Sequence, residues 1–135
     1  MALRSVLKEY SLLYAEDEHD VQQNMAEFFR TYFREVYVAS DGDEALQLYE
    51  RHQPDAVLLD INMPGTDGIT LAGTLLKQAP HLPVAIISAH SENSIVSEAW
   101  MSDIMTYLIK PVTPFAMKKM LDRMGMTLSD LQPES

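Results

Sequence analysis

The chain contains no cysteine, which removes a disulfide framework and any thiolate metal site and fits a reducing compartment such as the cytosol. Long apolar runs are missing too. The first ten residues carry charges at Arg4, Lys8 and Glu9, so neither a secretion signal nor a membrane span is read. Basic residues are scarce: ten Lys and Arg stand against twenty Asp and Glu, a net charge of −10. A surface with that balance repels phosphate backbones, so no direct nucleic-acid binding by this domain is expected. His19, His52, His81 and His90 show no metal-ligand spacing and read as surface residues. No internal repeat or low-complexity segment is present.

What the sequence does contain is one ordinary domain: 135 residues, 47% hydrophobic and 22% charged, which is globular rather than disordered. It is expected to be cytoplasmic, with a folded unit over 1–127 and 128–135 as a tail or the start of a linker. Short strand-like runs alternate with stretches of helical period. Strands are expected near 11–15, 36–40, 55–60, 84–88 and 106–109. Val21, Met25, Phe28, Phe29 and Tyr32 lie at helical spacing behind Asp20, a candidate N-cap. A second helix is opened by Asp41-Gly42-Asp43 and must end before Pro54. Leu71, Ala72, Leu75 and Leu76 mark a third, Ile95, Val96, Ala99 and Trp100 a fourth, and Phe115 to Met124 a fifth, with Pro114 suited to its first turn.

Five strands alternating with five helices predict an α/β fold, a doubly wound five-stranded parallel sheet of order 2-1-3-4-5, flavodoxin-like. In that order the crevice lies beyond the carboxyl ends of the first and third strands. The apolar runs end there at Glu16-Asp17 and Asp60, with Ser88 and Lys110 at the next two strand ends. Three crowded carboxylates repel one another unless a cation joins them. An all-oxygen set with no Cys or His beside it suits Mg²⁺ rather than zinc. With a metal present a carboxylate can accept a phosphoryl group. Asp60, alone at its strand end, is the candidate nucleophile, with Glu16 and Asp17 as metal ligands. Lys110 supplies a charge for phosphoryl oxygens and Ser88 a hydroxyl donor.

Five segments carry a resemblance: Glu16-Asp17-Glu18, Asp60-Ile61-Asn62-Met63-Pro64-Gly65 with Asp67-Gly68, Ser88-Ala89, and Tyr107-Leu108-Ile109-Lys110-Pro111. Across residues 9–125 the chain resembles the receiver domains of two-component response regulators, of the chemotaxis-regulator type. The resemblance implies a phosphorelay signalling switch and not a turnover enzyme, with only self-phosphorylation and self-dephosphorylation chemistry. It makes Asp60 the phosphoacceptor for a sensor histidine kinase or phosphotransfer protein. It assigns the metal, Mg²⁺ with Mn²⁺ as a substitute, to Asp17, Asp60 and the backbone carbonyl of Asn62, with Glu16 acting through water. Ser88 and Tyr107 take the switch positions, Lys110 the lysine position, and Asn62, Ala89 and His90 border the phosphoryl group. The Lys110–Pro111 peptide bond is expected to be cis. Phosphorylation would reshape the face made by the fourth helix, fifth strand and fifth helix, which is also the candidate homodimer surface.

Met101, Met105, Met117, Met120, Met124 and Met126 are six of the nine methionines. They either fill the core or, with Trp100, form an apolar partner patch on that face. One departure from the family pattern is Asp103-Ile104, where many receivers close the fourth helix with Gly-Ala. Two rivals fit less well. A haloacid-dehalogenase-type phosphohydrolase needs an acid two residues after its nucleophile, where this chain has Asn62. An FMN carrier of the same topology would have its phosphate repelled by Glu16-Asp17-Glu18. A receiver that never takes phosphate is disfavoured by the complete set of acids, Ser88 and Lys110. No output domain is read after Leu131, so a single-domain regulator or a piece of a longer protein is expected.

Overall fold

The computed structural model describes residues 6–65, 67–88 and 103–131. Five parallel strands, β1 (Ser11–Ala15), β2 (Glu35–Ala39), β3 (Ala56–Asp60), β4 (Val84–Ser88) and β5 (Thr106–Ile109), form one sheet of order β2-β1-β3-β4-β5. The described helices are α1 (His19–Arg30), α2 (Gly42–His52), α3 (Gly68–Gln78) and α4 (Pro114–Leu131). The expected helix around Ile95–Trp100, together with Ala89, His90 and Met101, lies outside the described residues.

Every residue of β1, β3 and β4 is buried, as a sheet covered on both faces requires. The alternation of side chains divides them between two cores. Leu12, Tyr14, Leu58, Ala85 and Ile87 pack with Phe29 of α1 and Met120 and Leu121 of α4. Leu13, Ala15, Val57, Leu59 and Ile86 pack with Ala45 of α2 and Leu71 and Leu75 of α3. Register follows from this division, because a one-residue slip would exchange the two sets. Parallel pairing sets Ala15 beside both Ala39 and Leu59, and Asp60 beside Ile87, so the strand ends are level along one edge.

Local signals start and stop the helices. The Asp41 carboxylate accepts from the Glu44 N–H at 2.7 Å, capping α2, while Glu44 Oε1 accepts from the N–H of Ser40, the residue before the cap, at 2.6 Å. Gln53 ends α2 in the left-handed region at φ 46, directly before Pro54. Asp67 caps α3 through the Thr70 N–H at 2.8 Å. Thr113 caps α4 through the Ala116 N–H at 3.1 Å, with Pro114 in the first turn.

Three expectations are corrected. Asp20 is not the N-cap of α1: Glu18 is, in extended conformation, and its carbonyl accepts from the Gln22 N–H at 2.8 Å, so the helix starts two residues earlier. The phase of α1 also differs. Its buried face is Gln22, Ala26 and Phe29, while Val21 and Phe28 are exposed. Finally, α4 does not stop at Met124. It runs through Leu131 with Leu128 buried in the core and its carbonyl accepting from the Tyr10 hydroxyl at 3.3 Å, so ordered structure passes the expected boundary at 127. Met117, Met120 and Met124 are core residues, whereas Met126 is exposed. Among the described residues no helix is long and apolar enough to cross a membrane.

Candidate functional site

Beyond the carboxyl ends of β1 and β3 the chain leaves the sheet at the point where strand order reverses. Asp60 closes β3 and is 1% exposed, and Glu16 follows β1 and is equally buried. Asp17 is exposed at the lip. One carboxylate oxygen from each of Glu16, Asp17 and Asp60 lies within 4.8 Å of the others. The short loop after β5 aims Lys110 at them, its Nζ 2.7 Å from Asp60 Oδ2 and 4.0 Å from Glu16 Oε1. The Lys110 N–H donates to Ser88 O at 2.8 Å, extending the β4–β5 pairing by one rung, and the Lys110–Pro111 bond is cis.

Each buried carboxylate is also oriented by backbone. The Asn62 N–H donates to Asp60 Oδ1 at 2.9 Å, so the two oxygens of Asp60 are held by different partners. The Glu18 N–H donates to Glu16 Oε2 at 3.1 Å. Behind Asp60, Gly68 brings α3 so close that a Cβ there would lie 2.7 Å from Asp60 O and from Ile61 Cα. Gly65 turns the intervening loop at φ 77, a conformation glycine adopts without penalty.

The electrostatics follow from this crowding. Burial is the main cause that pushes the Glu16 carboxyl up to about 7; the Glu18 N–H and Lys110 pull it down and the Asp60 charge adds to the rise. For Lys110 burial alone would lower the pKa. The hydrogen bond and charge of Asp60, with Glu16 and Asp17 behind it, outweigh burial and raise it. Three carboxylates face one ammonium, an imbalance of two negative charges when all are ionised. The donors are all hard oxygens. Both the charge deficit and the donor set fit a divalent cation of the Mg²⁺ class.

Ser88 is buried at the end of β4, and Tyr107 is half-buried against the core on the α2 and α3 face of the sheet. Asn62 is exposed at the loop after β3. Ala89 and His90 lie outside the described residues. The structure therefore gathers Glu16, Asp17, Asp60, Asn62, Ser88 and Lys110 along one edge. His19, His52 and His81 are exposed, with the His52 ring stacked on Tyr37 at 4.2 Å.

Two residues near the site escape a reading by motif. Tyr14 lies two positions before Glu16 on the same face of β1, and its hydroxyl is the one buried side-chain polar atom without a partner among the described residues. Burial first, then the charges of Glu16 and Asp60, raises its pKa. Gln22 projects from α1 into the turn that carries Glu16. The available signal was its position: an amide at i, i+4 and i+7 spacing with Ala26 and Phe29 belongs to a buried stripe and needs partners.

Comparison with known proteins bears on the family and the fold. The family model described as the response regulator receiver domain matches residues 12–122. The transcriptional regulatory protein PdtaR of Mycobacterium tuberculosis is 37% identical over 101 residues, covering 74% of this chain and 49% of its own length. The chain thus spans about half the length of that curated relative. A response regulator receiver domain protein from Clostridium thermocellum superposes with a TM-score of 0.82 at 24% identity, over 92% of this chain and all of its own, 100%. The response regulator TrrA of Thermotoga maritima, solved in complex with Mg²⁺ and BeF, gives a TM-score of 0.75 at 24% identity, over 86% of this chain and 99% of its own. At that identity the two structures speak to the fold.

Proposed function

The chain belongs to the response regulator receiver domain family, and from that premise we propose that it is a phosphorylation-dependent switch in which Asp60 accepts a phosphoryl group. The observation that carries the reading is the Lys110 ammonium 2.7 Å from an Asp60 carboxylate that is itself grouped with Glu16 and Asp17. In the transfer, an Asp60 oxygen forms a bond to phosphorus as the bond from phosphorus to the donor breaks. The donor is the phosphorylated imidazole of a sensor histidine kinase or phosphotransfer protein; with its other ring nitrogen protonated, the electron pair of the broken P–N bond stays on the ring and the donor leaves as neutral histidine.

Glu16, Asp17, Asp60 and the backbone carbonyl of Asn62 would hold Mg²⁺, or Mn²⁺ in its place, and the cation would neutralise charge on the transferring oxygens. That assignment is supported by the oxygen-only donor set and by the Mg²⁺ and BeF complex of the fold relative from Thermotoga. Lys110 then contributes in two ways. It balances the buried Asp60 charge before transfer, and it offers a donor to the phosphoryl oxygens after it. The Asn62 N–H fixes the rotation of the Asp60 carboxylate.

The new dianionic group supplies the signal. Ser88, at the end of the neighbouring strand, is the donor drawn toward it, and Tyr107 the ring that responds. The readout is the face built on β5 and α4, through which a homodimer or a downstream partner would engage. Asn62, with Ala89 and His90, would border the phosphoryl group and set its lifetime. The experiment is incubation with Mg²⁺ and acetyl phosphate followed by intact-mass measurement. Wild type gains one phosphoryl group and Asp60→Asn gains none; uptake by both, or by neither, overturns the reading.

A further inference from the structure

We infer that Gln22 is a positioning residue that locks Glu16 in place for metal binding, by tying the turn after β1 to the end of β2. The inference rests on the reading of Glu16 as a metal ligand.

Gln22 is 4% exposed, one of few polar side chains buried in the described residues. Its Nε2 lies 2.7 Å from Glu16 O, 3.0 Å from Ser40 Oγ and 3.2 Å from Ala39 O. Two of those atoms are carbonyl oxygens, which only accept. The orientation of the amide is therefore fixed, because the reverse would set its own oxygen against them. The Gln23 Nε2 completes the arrangement by donating to Gln22 Oε1 at 3.1 Å.

The consequence is that every polar group of Glu16 is held by the protein. Its N–H donates to Ala39 O at 3.0 Å, its carbonyl accepts from Gln22, and its carboxylate accepts from the Glu18 N–H at 3.1 Å. Ala39 O receives both the Glu16 N–H and the Gln22 amide, so a single carbonyl of β2 anchors the turn twice. Without Gln22 the Glu16 carbonyl loses its side-chain donor and the turn is held to β2 at one point only. A cation site depends on ligands that converge before the ion arrives, and partners of ligands set its affinity. Gln22 acts through Glu16 and touches neither metal nor phosphoryl group.

Gln22→Met keeps the length and packing of the side chain and removes the donors. Mg²⁺ binding measured by calorimetry should weaken about tenfold. In acetyl phosphate reactions the Mg²⁺ concentration for half-maximal phosphorylation should rise by the same factor, about tenfold, while the rate at saturating Mg²⁺ stays near wild type. A purely structural role would lower the melting temperature and leave both Mg²⁺ dependences unchanged, which would overturn the inference. Should Gln22→Met not fold, Gln23→Ala decides: at an exposed helix position it removes only the support of the Gln22 amide and should weaken Mg²⁺ binding about twofold. An unchanged affinity in that variant overturns the inference equally. Wild type that binds no Mg²⁺ would instead refute the underlying reading of the site.

Discussion

Glu16 offers a quantitative test because its burial has a thermodynamic signature. The side chain is almost wholly removed from water, and its carboxyl is pushed from 4.5 up to about 7, with burial the largest cause. The folded state therefore binds this proton more tightly than the unfolded chain. The resulting stabilisation is fully present below pH 4.5 and is lost as pH rises through about 7. The gap between 4.5 and about 7 corresponds to a ceiling of about 3 kcal/mol. Urea denaturation of metal-free protein, in chelator, from about pH 5 to about pH 8.5 should show wild type losing up to that amount relative to Glu16→Gln. The amide has no proton to lose, so the variant should give the flatter profile. Saturating Mg²⁺ should restore wild type at the alkaline end, because a ligand of the ionised form stabilises most where the apo protein is weakest. Parallel profiles for wild type and Glu16→Gln in chelator would refute the argument that burial drives the shift.

Three further outcomes follow from the same geometry. Gly68→Ala inserts a Cβ 2.7 Å from the backbone of Asp60 and Ile61, so α3 or the phosphoacceptor strand must move; urea melts should show a loss of about 1–3 kcal/mol, with slower phosphorylation by acetyl phosphate. Lys110→Met removes the ammonium 2.7 Å from Asp60, so calorimetry should find tighter Mg²⁺ binding while phosphorylation slows about a hundredfold; faster phosphorylation would contradict the role given to the lysine. Tyr14→Phe deletes a buried hydroxyl with no partner among the described residues and should be neutral or stabilising by up to about 1 kcal/mol in denaturant melts.

The site was legible in the sequence because its residues terminate apolar runs. Asp60 and Ser88 close, and Lys110 follows, strands of unmistakable composition, and the alternation of strands and helices dictates which ends meet. Helix α1 was harder. Its apolar residues occupy more than one face, so helical spacing picks out Val21 and Phe28 together with Phe29, while the core takes Phe29 and Ala26, leaves Val21 and Phe28 exposed, and accepts Gln22 in exchange for hydrogen bonds to strand ends. Asp20 has the side chain of a cap, yet the chain turns into the helix at Glu18 because the first helical hydrogen bond closes there. The extension of α4 to Leu131 depends on a distant partner, the Tyr10 hydroxyl and its apolar surroundings, which no local pattern announces.

The most direct test of the central claim locates the phosphate chemically. An aspartyl phosphate is an acyl phosphate, and borohydride reduces it to homoserine while ordinary carboxylates are untouched. Protein treated with Mg²⁺ and acetyl phosphate, reduced and mapped by peptide mass spectrometry should carry homoserine at position 60. Homoserine at another aspartate, or none at position 60 under conditions where the intact mass shows phosphate uptake, would contradict the assignment of Asp60 as the phosphoacceptor.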